Sequence, residues 1–82
     1  MIEVVEARYV HGYTLWLSFN DGAEGNVDLA SELYGSRFEP LRDLVEFRYF
    51  KVNRELGSIV WENGAMLEPD FLYSRLKRIA AN

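Results

Sequence analysis

The side chains best suited to chemistry in this chain are its single histidine, His11, and the carboxylates Asp21, Asp28, Asp43 and Asp70. Histidine is the usual general acid or base at neutral pH. His11, however, stands beside a turn glycine, Gly12, the ordinary setting of a solvated imidazole. A zinc site needs further ligands, and no HxH, HxxxH or HxxE spacing supplies them. Two carboxylates brought together could share acid and base roles or hold a hard cation. Each of the four has a structural explanation instead: Asp21 makes a turn, Asp28 and Asp70 start helices, and Asp43 lies in a polar stretch beside Arg42. There is no glycine-rich phosphate loop, no GxSxG elbow and no nucleophile flanked by a base. The expectation is therefore a protein that is not an enzyme, with no catalytic residues, no metal ligands and no cofactor.

Bulk properties narrow the partners. Thirteen acidic residues against nine basic ones give a net charge of −4, the wrong sign for a protein whose affinity comes from neutralising phosphates. Arg75, Lys77 and Arg78 cluster near the end, but basic residues in a final helical turn complement the helix dipole. Direct nucleic-acid binding is not expected. There are no cysteines, so neither a disulfide framework nor a thiolate metal site is available, which suits a cytoplasmic protein. Met1 to Tyr9 lacks the pattern of a targeting segment, and no run is long enough to span a bilayer. At 82 residues the chain reads as one domain, 1–82, with 49% hydrophobic and 15% aromatic residues to form its core.

The elements that must position these side chains follow from periodicity. Val4 to Val10 roughly alternates, with Val5, Ala7 and Tyr9 against Glu6 and Arg8, and His11-Gly12 reads as a turn. Thr14 to Phe19 gives the clearest strand, with Leu15, Leu17 and Phe19 on one face and Thr14, Trp16 and Ser18 on the other. Asn20-Asp21-Gly22 predicts a tight turn, and Ala23 to Val27 a returning strand. Asp28 predicts the cap of a two-turn helix with Leu29 and Leu33 on one face, ending at Gly35. Pro40 opens a helical turn around Leu41 to Leu44. Phe50 to Asn53 and Ser58 to Trp61 read as strands about a turn at Glu55-Leu56-Gly57, with Ile59 and Trp61 inward, and Asn63-Gly64 is a strong hairpin dipeptide. Glu68-Pro69-Asp70 then opens a helix over Phe71 to Ala80, buried along Leu72, Leu76 and Ile79.

One regularity connects the halves. At an offset of 42, Leu17 matches Ile59, Phe19 matches Trp61, Gly22-Ala23 matches Gly64-Ala65, and Asp28 matches Asp70. The pattern predicts an α+β fold: two β-hairpins, each followed by a helix, packed on a mainly antiparallel sheet. Trp16 then points away from the buried face, where an aromatic side chain invites a partner. Val10 and Val60 are expected on that face, with Tyr13 and Tyr73 near its rim.

The run Leu17-Ser-Phe19-Asn-Asp21-Gly22, Val27-Asp28-Leu29, Phe50 and Trp61-Glu-Asn63-Gly64-Ala65, followed by Pro69-Asp70 and Leu72-Tyr73, resembles the bacterial family called domain of unknown function 2442. The likeness extends from about Val4 to Tyr73, and Met66 departs from it, standing where the family often has an acid. The resemblance implies a small α+β fold, alone or joined to a helix-turn-helix module, with genes arranged like toxin and antitoxin pairs. It supplies no catalytic residues. The leading expectation is a non-enzymatic protein-binding or regulatory module, an antitoxin-like partner of another small protein. The alternative is a self-associating homodimer linked to transcriptional regulation. A third is a small carboxylate-based hydrolase using Asp21, Asp28 or Asp70 with His11.

Overall fold

Strict alternation in Thr14–Phe19 drives the first half of the fold. In the computed structural model, which describes residues 1–76, Leu15, Leu17 and Phe19 are buried with at most 1% exposure. Strand β1 (Val4–His11) pairs antiparallel with β2 (Thr14–Phe19), and β2 with β3 (Glu24–Asp28), giving a three-stranded meander in the order β1-β2-β3.

The β1 alternation corrects the expectation from sequence. Register slips between Val4 and Glu6, and again between Tyr9 and His11, so Val5 and Val10 are each an extra residue opposite β2. A bulge of this kind moves the following side chains to the other face. Val4 is therefore buried while Val5 is 51% exposed, and Ala7 and Tyr9 still pack on the core. His11, expected in the turn, is the last residue of β1, opposite Thr14.

The predicted two-turn helix after Asp28 is a single 3-10 turn, Ala30–Glu32. Asp28 remains in the ladder opposite Thr14, and its Oδ1 accepts from the Ala30 N–H at 2.9 Å. The bonds that follow are short-range, Glu32 N–H to Leu29 O and Tyr34 N–H to Glu32 O, and Leu33 leaves helical geometry with ψ 66°. Leu29 and Leu33 are nonetheless both buried, as their spacing demanded. Around Pro40, likewise, the expected helical turn over Leu41 to Leu44 divides at Asp43, whose extended backbone separates a 3-10 turn, Glu39–Arg42, from helix α1 (Leu44–Phe47). Asp43 caps α1, accepting from the Val45 N–H at 3.0 Å.

Strands β4 (Phe50–Asn53) and β5 (Ser58–Trp61) form a separate antiparallel pair, with Phe50 opposite Trp61 and Val52 opposite Ile59. After Asn63-Gly64 the chain returns through one bridge, Val60 to Met66, rather than a full strand. Helix α2 spans Pro69–Ser74 and buries Leu72. Of the expected stripe, Leu76 is half-buried, while Ile79 lies outside the described residues together with Lys77 and Arg78. The single sheet with two hairpin-helix units is thus replaced by two sheets, a meander and a hairpin, with two short α-helices.

One apolar cluster joins them, running from Val4, Leu15 and Leu17 through Phe47 to Ile59, Trp61 and Leu72. Two polar contacts fix the joint. The Val4 N–H donates to Gly57 O at 2.8 Å, and the buried Trp61 Nε1 donates to Phe47 O at 2.8 Å. Gly57 adopts φ +66°, and a Cβ there would lie 2.8 Å from Glu3 Cγ, so both conformation and space call for glycine.

The 42-residue offset is realised in detail at the turns. Phe19 N–H donates to Ala23 O and Gly22 N–H to Phe19 O; Trp61 N–H donates to Ala65 O and Gly64 N–H to Trp61 O. Asp21 Oδ1 accepts from the Ala23 N–H at 2.9 Å, and Asn63 Oδ1 from the Ala65 N–H at 3.0 Å. The glycines match too, with φ of 92° at Gly22 and 90° at Gly64.

Candidate functional site

Because side chains alternate along a strand, the face of the meander opposite the core is read directly from register. Glu6, Ser18 and Glu24 form one cross-strand row; Arg8, Trp16 and Asn26 form the next; His11, Thr14 and Asp28 form the third. Trp16 is the centre of this grid, half-buried among polar neighbours. The Arg8 guanidinium lies over its ring, 5.4 Å from the centroid. Glu6 Oε2 in turn accepts from Arg8 Nε at 3.0 Å and Nη2 at 2.7 Å.

Both Arg8 and Glu6 are largely open to solvent, so their ion pair adds little to stability. A surface cation over an aromatic ring is worth about 0.5–1 kcal/mol. What the arrangement does is orient: it presents a flat indole with a movable cation on it, bordered by the acids Glu6, Glu24 and Asp28. Ser18, Thr14 and Asn26 supply hydroxyl and amide groups at the same level.

The other expected binding residues divide. Val10, 39% exposed at the second bulge of β1, lies two positions from Arg8 along the strand. Val60 belongs to the other sheet, on β5 opposite Lys51. Tyr13 and Tyr73 face inward. The Tyr13 ring stands edge-on to Phe47 at 5.3 Å with its hydroxyl donating to Arg42 O. Tyr73 stands edge-on to Phe19 at 5.1 Å and donates to Asp21 Oδ2. The structure therefore leaves Val60, Tyr13 and Tyr73 off the Trp16 face, and Val10 alone of the four stands on a strand paired with that of Trp16.

The carboxylates and histidine considered for hydrolysis are also separated. Asp21 occupies the turn at one end of the β2–β3 hairpin, whereas Asp28 and His11 flank Thr14 at the other. Five strand residues at about 3.3 Å each divide the two ends. Asp70 is in the first turn of α2. Among the described residues no three histidine or acidic side chains gather into a metal-holding group, and no helix is long and apolar enough to cross a membrane.

Sequence reasoning missed Arg8 and Glu6 as the setting of Trp16. The signal was present in the alternation of β1, but the cross-strand register that places Arg8 opposite Trp16 depends on the bulges. It also passed over the outer side of the second hairpin, where Tyr49, Lys51, Val60, Trp61 and Glu62 line an open groove of about 190 Å³.

A family model described as "Protein of unknown function (DUF2442)" matches residues 4–78. No curated protein and no solved structure matches the chain.

Proposed function

The chain belongs to DUF2442, a family of proteins of unknown function, and from that premise we propose that it is a non-enzymatic protein-binding module of the cytoplasm. In this reading it is an antitoxin-like or regulatory partner of another small protein. The observation that carries the proposal is Trp16 at the centre of the outer face of the meander, with Arg8 over its ring. Tryptophan and arginine are the side chains that most often dominate protein interfaces, because they bury large surfaces while retaining polar groups.

The border of this face selects the partner. Glu6, Glu24 and Asp28 surround the indole on a chain of net charge −4, so a basic surface is steered toward it and an acidic one repelled. Arg8 can be drawn aside by a carboxylate on the incoming protein or remain as a lid on the ring. No oxidation, bond cleavage or group transfer is assigned to the face.

The test is an affinity capture with the tagged chain from lysate of its own host, repeated with Trp16→Ala and across a salt series. A basic protein retained by the native chain, lost with the variant and weakened by salt supports the proposal. A chain recovered alone at every salt concentration overturns it.

A further inference from the structure

We infer that the outer face of the β4–β5 hairpin is a self-association surface whose occupant is a second copy of this chain, related by a twofold axis. Register defines the face. Phe50 and Trp61 are paired toward the core, as are Val52 and Ile59, so the alternate residues Lys51 and Val60 point outward together. Tyr49 and Glu62, one position beyond the Phe50–Trp61 pair, extend the same face.

This surface is more apolar than a solvated sheet face requires. Tyr49 is 65% exposed, and it lines the groove with Val60 and part of Trp61. Leu44 and Val45 stand exposed at 42% and 73% on the preceding α1, one turn before Tyr49. Three of the chain's large exposed hydrophobic side chains thus fall within six residues, and the last of them, Tyr49, lines the groove. None of them belongs to the core cluster or to the cross-strand rows around Trp16.

Charge decides the occupant. A chain of net charge −4 repels its own copies, so a contact between two copies is favoured at a face whose own charges balance. The Trp16 face is not balanced in this way, since it sets three acids, Glu6, Glu24 and Asp28, against the one guanidinium of Arg8. The hairpin face carries one cation and one anion, Lys51 and Glu62, placed diagonally across the two strands. Among the described residues the ion pairs are Arg8 with Glu6 and Arg75 with Glu32, so Lys51 and Glu62 are not paired with each other. A twofold contact is isologous, with each residue meeting its counterpart's neighbour. It sets Lys51 of each copy against Glu62 of the other, twice, with Tyr49 and Val60 closing on themselves between the two pairs.

The experiment is sedimentation velocity on the full chain from about 1 to 1,000 µM, a range that spans the weak to moderate affinities of small interfaces. The native chain is expected to dimerise within it. Lys51→Glu and Glu62→Lys should each weaken dimerisation about tenfold or more by setting like charges together, and the double exchange should restore it to near the native value. Tyr49→Ser should weaken it without touching charge, and Trp16→Ala should leave it unchanged, which separates this surface from the one under Proposed function. Far-UV circular dichroism verifies that each variant is folded. A native chain that stays monomeric throughout, a dimer indifferent to either reversal, or single reversals that the double exchange does not rescue would each overturn the inference.

Discussion

The Tyr73 hydroxyl donates to Asp21 Oδ2 at 2.6 Å across 52 residues of chain, fastening helix α2 to the β2–β3 turn. The same tyrosine packs its ring edge-on against Phe19, so one side chain joins the last helix to the first sheet by both a polar and an apolar contact. Tyr73→Phe keeps the ring and removes the donor, and should lower stability by about 1 kcal/mol. Asp21→Ala should lower it further, because Asp21 Oδ1 also holds the Ala23 N–H. Urea denaturation followed by circular dichroism measures both, and an unchanged midpoint for Tyr73→Phe would show that the contact does not fasten the helix.

Trp61→Phe should be more damaging than its conservative size suggests. The indole Nε1–H is the donor to the Phe47 carbonyl, and the residue is 3% exposed. Phenylalanine leaves that carbonyl without its donor and the ring space partly empty, a loss of roughly 2–4 kcal/mol when the two effects add. The thermal midpoint of the variant gives the answer.

A third comparison separates the two sides of β2. Leu17→Ala should destabilise by about 2–5 kcal/mol, as for any fully buried leucine. Trp16→Ala, one residue away and facing out, should change stability by less than about 1 kcal/mol. If the two variants melted alike, Trp16 would be a core residue and its assignment to a binding face would fail.

The paired turns make a fourth. Gly22→Ala meets no atom within 4 Å, so its effect is that of forcing alanine to φ +92°, about 1–2 kcal/mol. Gly64→Ala carries the same conformational term at φ +90° and also displaces the Arg37 side chain, whose Nη1 would lie 2.3 Å from the new Cβ and which donates to Asn63 O. Gly64→Ala should therefore be the worse of the two by a few tenths of a kcal/mol to about 1 kcal/mol. Paired chemical denaturation curves decide it.

Much of this architecture was legible in the sequence, and the misses have identifiable causes. Glycine at Gly22, Gly57 and Gly64 marked turns because each needs a positive φ, and all three adopt it. The Leu15, Leu17, Phe19 alternation identified the buried face of β2 because nothing interrupts it. Val5 was misread because a bulge changes the period without leaving a residue signature. Asp28 read as the start of a helix because the same side-chain bond that caps a helix also closes a 3-10 turn. Tyr13 and Tyr73 could be placed at the rim of the Trp16 face only by guessing tertiary contacts, and Phe47, Phe19, Arg42 and Asp21 claim them instead. Family resemblance, carried mainly by the Trp61-Glu-Asn63-Gly64-Ala65 run, was the most readable signal, and the family model confirms it over residues 4–78.

The two tryptophans give this protein a built-in pair of optical reporters. Trp61 is buried beside Phe47 and Phe38 with its indole N–H engaged, so its emission reports the integrity of the core. Trp16 is on the outer face under a charged guanidinium, where a dissolved quencher can reach it and an arriving protein would shield it. A Trp16→Phe variant leaves an unfolding signal alone, and its difference from the native spectrum isolates the surface signal. Docking on the meander and disruption of the core can thus be distinguished in one cuvette, with no added label.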